Sequence, residues 1–369
     1  MMQPRRWLLT TDTVGGVWTY SLELARGLTA LGTDIVLVTM GPAPTSAQLE
    51  EVTVIPGVLP VVTSLPLDWL ATCREDVLVA GKALAAIVAE AATDLGVEGV
   101  QLHAPALAAG ADFAVPVVSV VHSCAATWWA AMRGGPRPDD LAWQARLTAQ
   151  GLARSDRVVA PTWAFAAALQ AAYTLGQAPT VVHNGRILAC LVGEQQDVVF
   201  TAGRLWDESK GAALFDAAAA LSSNPFLAAG PLQGPNGAEV RLQHAEPLGL
   251  LSREALAEMF AARPVFVSSG RYEPFGLSVL EAAGAGCALV LADIPTLREL
   301  WDGAATFVPV DDARVLAQAT DAIIADPARR QGMGQAAATR AACYTTERTA
   351  AAMAAIHASL ATDRRRQAA

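Results

Sequence analysis

Ser268-Ser269-Gly270-Arg271-Tyr272-Glu273-Pro274-Phe275-Gly276-Leu277-Ser278-Val279-Leu280-Glu281-Ala282-Ala283-Gly284-Ala285-Gly286 is the stretch from which the architecture can be read. Apolar Val265 to Val267 precedes it and Ala288 to Leu291 follows it. A short strand, a glycine-containing loop, an Ala- and Leu-rich helix and a second strand form the repeating piece of a parallel sheet with crossover helices. Pro274 falls at the expected first turn of the helix and Gly276 near its start, which leaves backbone amides there without helical partners. Glu273 and Glu281 are separated by seven residues, so Glu281 lies about two turns further on at ~3.6 residues per turn. A carboxylate can receive two vicinal hydroxyls, as on a ribose or hexose. A charge at a helix start, or a solvated surface residue, is the competing reading of either glutamate.

Outward from this stretch the same alternation recurs. Ile35 to Val38, Val117 to Val121 and Val198 to Thr201 are strand-like, and each is followed by a longer helical pattern. Around Val181 to Asp197 the text turns polar and turn-forming, with His183-Asn184-Gly185-Arg186 and Gly193-Glu194-Gln195-Gln196-Asp197. The expected organisation is therefore an α/β protein of two facing Rossmann-like domains, residues 1–185 and 198–345, joined by a linker over 186–197. A cleft between the two domains is expected. A helical pattern over Thr345 to Leu360 is read as a last helix that returns to brace the first domain. The basic remainder of 346–369, with Arg364-Arg365-Arg366, is expected to fray.

The 369 residues are 53% hydrophobic and 17% charged, a composition that builds large cores. A net charge of -9 argues against nucleic acid as a partner, because tracking its phosphates takes a basic surface. It also limits any membrane role to weak peripheral contact through local basic patches. Five scattered cysteines, Cys73, Cys124, Cys190, Cys287 and Cys343, include no Cys-x-x-Cys pair, and read as reduced, mostly buried thiols of a cytoplasmic protein. Met1 to Arg6 runs directly into Trp7-Leu8-Leu9 without a developed secretory signal. Val115 to Val121 is apolar but is interrupted by Pro116 and bounded by Asp112 and His122-Ser123, so no spanning segment is expected.

Three further constellations carry chemistry. In Thr10-Thr11-Asp12-Thr13-Val14-Gly15-Gly16-Val17 a strand ends and two glycines turn the chain into a helix expected from about Trp18; amides at such a start face an anion, although a plain turn reads the same way. In Thr201 to Gly211, Arg204 offers a planar fork and Lys210 a compact ammonium at a strand's carboxyl end, where α/β sheets place ligands. Together they suit a pyrophosphate leaving group; two solvated loop charges are the alternative. The stretch Ala125 to Pro138 places Trp128, Trp129 and Arg133 after His122. These residues suit an acceptor with a sugar or apolar face and an anionic group, while Trp128 and Met132 alternatively form one buried helical stripe.

These residues, in this order, resemble the retaining glycosyltransferases of the GT-B fold, above all family 4. Glu273 to Glu281 is similar to that family's E-x7-E signature, and Gly203-Arg204 with Lys210, the Asp156 to Trp163 strand, Asn184-Gly185 and Gly15-Gly16 also match. The resemblance covers nearly the whole chain and is strongest from Gly203 to Arg340. It implies a metal-independent hexosyltransferase that needs no cofactor and takes a UDP- or GDP-sugar as donor substrate. By similarity Gly16, beside Gly15, would give its amide to the donor phosphates, Arg204 and Lys210 would clamp the diphosphate, and Glu281 would hold the ribose hydroxyls. Glu273 would sit beside the donor sugar, with the amides of Phe275, Gly276 and Leu277 contacting sugar or phosphate. Leu251 would read the base through its backbone, and His122 would touch the donor sugar unless it is a satisfied strand-end histidine. His103 is either an acceptor-side or a structural residue. The linker departs from the pattern: Asn184-Gly185 is followed by Arg186-Ile187, where the family usually has an acidic residue. Two other readings stay open, a sugar-nucleotide epimerase on the same fold and a nucleotide-sugar-binding relative without turnover.

Overall fold

In β1 (Arg5–Asp12) side chains alternate between two burials, with Trp7 and Leu9 in one apolar cluster and Leu8 in another, and β2 (Thr33–Met40) repeats this with Ile35 and Leu37 against Val36 and Val38. A strand whose faces are both apolar is covered by helices on both sides, the condition of a parallel sheet. The computed structural model describes residues 5–188 and 193–368, with the backbone alone at Asp140 and over 362–368. Cys190 and part of the expected linker lie outside the described residues.

The chain divides into two compact units, 1–185 with 346–369, and 186–345. The first unit continues from β1 through α1 (Gly16–Ala30), β2, α2 (Ser46–Thr53), β3 (Val58–Val62), α3 (Arg74–Asp94), β4 (Gly99–Leu102), β5 (Val117–Val120), α4 (Ala125–Met132), α5 (Asp139–Ala153), β6 (Arg157–Ala160), α6 (Trp163–Tyr173) and β7 (Thr180–Val181). Its seven strands are all parallel in the order β3-β2-β1-β4-β5-β6-β7. The second unit runs β8 (Val199–Ala202), α7 (Ala212–Ala219), β9 (Phe226–Ala229), β10 (Glu246–Gly249), α8 (Arg253–Ala261), β11 (Val265–Ser268), α9 (Leu277–Gly284), β12 (Ala288–Ala292), α10 (Pro295–Trp301), β13 (Thr306–Val308), α11 (Ala313–Ile324) and α12 (Pro327–Ala341). Its six parallel strands lie in the order β10-β9-β8-β11-β12-β13. Phe200, Phe266, Leu289 and Leu291 fill one face of this sheet, and Val199, Val265, Val267 and Val290 fill the other.

Each order reverses direction once, between β1 and β4 in the first unit and between β8 and β11 in the second. At such a switch point the loops leaving neighbouring strands diverge and open a crevice at the carboxyl ends. The loops after β8 and β11 are those carrying Arg204, Lys210 and Glu273.

The final helix, α13 (Thr346–Ala368), belongs to the first unit. Thr346 Oγ1 donates to buried Glu23 at 2.9 Å, Ala350 packs where α1 has Gly27, and His357 stacks on Trp7 with ring centroids 3.7 Å apart. Its backbone stays helical through Ala368, past the expected fraying point near Ala361, because no Gly or Pro interrupts Thr346 to Ala368. The thiols also differ from expectation: among the four described cysteines, all free, only Cys287 is buried. Cys73 and Cys124 are the residues preceding α3 and α4, and Cys343 follows α12, positions at helix ends that face outward. Among the described residues no helix is long and apolar enough to cross a membrane.

Candidate functional site

In the second unit the loop after β8 is organised by Asp207. One of its oxygens pairs with Arg204 Nη2 at 3.0 Å, and the other accepts from the amide and the hydroxyl of Ser209 at 3.1 and 2.6 Å. Arg204 also lies over the ring of buried Trp206, 5.6 Å from its centroid. A short 3-10 turn then brings Lys210 round to Glu273, with Nζ 2.6 Å from Oε2. Their side chains are 23% and 14% exposed. The two loops lie close against each other: the Ser269 hydroxyl donates to the Gly211 carbonyl at 2.9 Å, and a Cβ at Gly211 would stand 2.5 Å from the Ser269 carbonyl oxygen. Gly211 has φ +74°, a left-handed conformation that glycine adopts without cost. Arg204, Lys210 and Glu273 are thus assembled at one switch point, and Lys210 retains donors beyond the one spent on Glu273. Such a site can oppose the charge of a departing diphosphate.

The helix after Glu273 starts later than expected. Gly276, at φ +87°, is the N-cap and α9 begins at Leu277, so Pro274 lies before the helix instead of in its first turn. A left-handed residue cannot continue a right-handed helix, and it sets the boundary here. Phe275 commits its ring to the core, edge-on to Tyr344 at 5.8 Å, and Thr296 Oγ1 fixes the Glu273 carbonyl at 2.6 Å. Glu281, further along α9, is ion-paired with Nε of Arg186, the residue at which the linker departs from the family pattern. Leu251 follows β10 and packs half-buried on the core just before Ser252, which caps α8 by accepting from the Ala255 amide at 3.1 Å. Its neighbour Leu250 is 84% exposed.

In the first unit Asp12 takes the amides of Val14 and Gly15 at 3.0 and 3.3 Å. This turns the chain so that α1 begins at Gly16, two residues before the expected start. The Gly15 amide is therefore engaged, and Gly16 offers the first amide of the helix. His103 is satisfied on every side. Its backbone amide donates to Thr10 Oγ1 at 3.0 Å, Nδ1 is 3.1 Å from Ser21 Oγ, and Nε2 is 2.8 Å from Gln101 Nε2. Because Gln101 Nε2 only donates, His103 Nε2 carries the lone pair and Nδ1 the proton. The same amide's Oε1 accepts from His357 Nε2 at 3.1 Å. A relay of fixed direction thus runs from α13 through Gln101 and His103 to Ser21, whose hydroxyl donates to the Val17 carbonyl at 2.7 Å.

His122, at the end of β5, stands edge-on to Tyr20 and His103 with centroids 4.5 and 5.0 Å apart. Its Nε2 is buried without a partner among the described residues. Burial lowers the His122 pKa to about 4 and the His357 pKa to about 3, and burial with the neighbouring His122 holds His103 well below the usual range. At neutral pH these rings are uncharged, so His122 offers a hydrogen bond and not a charge. The buried residues of α4 are Ala126 and Thr127, while Trp128, Trp129 and Met132 are half-buried. Helix register sets the order: Ala126 and Thr127 face inward, Ala130 and Ala131 face outward, and Trp128, Trp129 and Met132 lie between. Arg133 stacks over Trp128 at 5.5 Å, and Trp129 Nε1 donates to the Gly135 carbonyl at 3.2 Å.

Sequence reading passed over Asp207, Asp12, Gln101, His357 and the partner of Arg186. Asp207 was recoverable as an acid three residues after Arg204, and Asp12 as an Asx turn ahead of Gly-Gly. Gln101 and His357 signal themselves only as polar residues within apolar runs. Among the described residues no group of three or more His, Cys, Asp or Glu side chains is placed to hold a metal ion.

Residues 14–188 match Glycosyltransferase Family 4, and residues 192–340 match Glycosyl transferases group 1. A D-inositol 3-phosphate glycosyltransferase of Kribbella flavida is 29% identical over 385 residues, covering 92% of this chain and 89% of its own. The protein of that name from Streptomyces avermitilis is 29% identical over 411 residues, covering 96% and 86%. Among solved structures, sucrose-phosphate synthase from Thermosynechococcus elongatus superposes with a TM-score of 0.79 at 19% identity, covering 96% of this chain and 99% of the other. Anabaena Alr3699/HepE in complex with UDP-glucose gives 0.74 at 18% identity, covering 96% and 100%.

Proposed function

Because this chain belongs to the group 1, family 4 type of glycosyltransferases with the GT-B fold, we propose that it moves a hexose-type sugar from a UDP- or GDP-sugar to a hydroxyl acceptor, with retention at the anomeric carbon. The observation that carries the reading is the assembly of Arg204, Lys210 and Glu273 where β8 and β11 part. The bond from the anomeric carbon to the diphosphate oxygen breaks while the acceptor oxygen bonds to that carbon from the same face. The hydroxyl proton passes to the departing phosphate oxygen, so no separate protein base takes part. Arg204 and Lys210 oppose the growing charge in place of a divalent cation.

Glu273 holds Lys210 and stands beside the donor sugar, and Glu281 takes the ribose hydroxyls. The backbone at Leu251 reads the base, and the amides of Phe275, Gly276 and Leu277 reach sugar or phosphate. Gly16 serves the donor phosphates and neutral His122 a sugar hydroxyl. Trp128, Trp129 and Arg133 are assigned to the acceptor. The curated relatives are named for D-inositol 3-phosphate, which makes a phosphorylated cyclic polyol the first acceptor to test. A reducing, cytoplasmic setting is supported by the free thiols.

Arg204→Ala and Lys210→Ala are each expected to lower turnover by roughly 10² to 10³, the loss of one preorganised donor worth about 2.7–4 kcal/mol, with melting temperature kept. The donor is first identified by thermal shift with a panel of UDP- and GDP-sugars. Wild-type turnover in both variants would end the assignment, and a product inverted at the anomeric carbon by NMR would end the retaining mechanism.

A further inference from the structure

Arg186 is the linker's departure from the family pattern, and its side chain is 11% exposed. Nε holds Glu281 Oε1, and the backbone amide donates to the Tyr344 carbonyl at 3.3 Å. Two residues on, Leu188 packs on the cluster that contains Ala282 and Ala283 of α9. The linker is therefore laid along the helix that carries Glu281, and the arginine is pinned on both sides of its ion pair. Yet Nη1 is buried with no hydrogen-bond partner among the described residues. A buried ion pair is weak evidence for stability, and an unmatched buried donor makes it weaker still. The arrangement calls for a reason beyond folding.

Resting on the reading that Glu281 takes the donor's ribose hydroxyls, we propose that Arg186 is a positioning residue for the donor: it fixes the Glu281 carboxylate in the orientation that receives the ribose diol. Glutamate has several rotatable bonds, and ordering such a side chain when a ligand binds weakens affinity. With Arg186 in place the ordering is complete before the nucleotide arrives. The unmatched Nη1 fits this role, since the guanidinium is placed for the carboxylate and not for its own satisfaction. Arginine suits the task better than lysine because its planar fork fixes the direction of the bond as well as its length.

Binding of UDP and GDP, each beside its 2′,3′-dideoxy counterpart, is measured by calorimetry on wild type, Arg186→Ala, Arg186→Gln, Arg186→Lys and Glu281→Ala, with the melting temperature of each. The expected result is a loss of roughly 2- to 12-fold for the ribonucleotide in Arg186→Ala and Arg186→Gln, or about 0.5–1.5 kcal/mol at 1.4 kcal/mol per tenfold. Arg186→Lys recovers part of it, and the dideoxy nucleotide binds all Arg186 variants as it binds wild type. A role in folding alone would not depend on the ribose hydroxyls. Ribonucleotide binding that is unchanged or tighter in Arg186→Ala and Arg186→Gln overturns the proposal, the tighter case meaning that the arginine obstructs the carboxylate. An equal loss for the dideoxy nucleotide also overturns it. If Glu281→Ala binds the ribonucleotide like wild type, the donor reading and the inference fall together; if only Glu281→Ala is weakened, the inference alone falls.

Discussion

Replacing Gly211 with alanine tests whether the contact between the loops after β8 and β11 sets the catalytic geometry. The new Cβ would meet the Ser269 carbonyl oxygen at 2.5 Å where ordinary contact begins near 3.4 Å, so about 0.9 Å must be found by moving one loop off the other. Neither obstructing atom is the tip of a flexible side chain, since the next nearest is the Ser269 carbonyl carbon at 2.7 Å. Overpacking of this kind costs about 1–3 kcal/mol, and φ +74° adds about 1 kcal/mol for a residue with a Cβ. Gly303→Ala supplies the control, because Gly303 sits in the same unit at φ +78° with nothing within 4 Å of its added Cβ. The control should therefore lose only the backbone part. Differential scanning calorimetry should show Gly211→Ala melting roughly 5–15 °C lower than wild type and well below Gly303→Ala. Turnover, measured at a temperature where both are folded, should fall on the order of 100-fold in Gly211→Ala, because Lys210 and Glu273 ride on the two loops being parted. Equal melting and equal turnover in the two variants would refute the reasoning.

Other expectations follow from the first unit. The unfolded chain binds a proton at His357 near pH 6.5, while the folded chain refuses it until about pH 3, so stability should rise with pH through that window and be lost on acidification. For this residue, 3% exposed, the loss between pH 6.5 and 5 is about 2 kcal/mol. His357→Gln, which can still donate to Gln101, should flatten the slope of unfolding free energy against pH by about one proton between pH 5 and 6.5 in urea melts; an unchanged slope contradicts the assignment. Trp129→Ala should raise the acceptor KM roughly 2- to 12-fold with donor Kd and melting temperature unchanged. Unaltered acceptor kinetics would remove the tryptophans from the site.

What the sequence made legible was mostly local. β-branched runs alternating with Ala- and Leu-rich stretches announce parallel sheets, and Arg204 and Lys210 declare themselves because they share one short loop after a strand. Contacts between distant residues were not written there. Lys210 and Glu273 are 63 residues apart and meet only because β8 and β11 are neighbours, a property of strand order that propensity does not carry. Arg186 was visible as a departure from a pattern, but its partner emerges only once the linker lies along α9. Boundaries failed where a single conformation decided them: Gly276 in its left-handed state ends the loop after Pro274, and the Asp12 carboxylate starts α1 early. The relay through Gln101 and His357 was hidden because a polar residue in an apolar run reads as noise until its partners are seen.

The stacking of His357 on Trp7 carries a consequence for how the protein is made. A ribosome delivers Trp7 long before His357, with the whole of residues 186–345 between them. Residues 186–345 form an uninterrupted span holding all six strands of their own sheet, so this half can complete itself during translation. The other half emerges first but finishes later, with the seat for α13 on Trp7, Glu23 and Gly27 open to water until the residues of that helix have followed. A chain cut after Thr345 would therefore leave the half synthesised earliest unfinished while sparing the one synthesised later, and a nascent chain paused there would offer a chaperone the uncovered apolar face of α1.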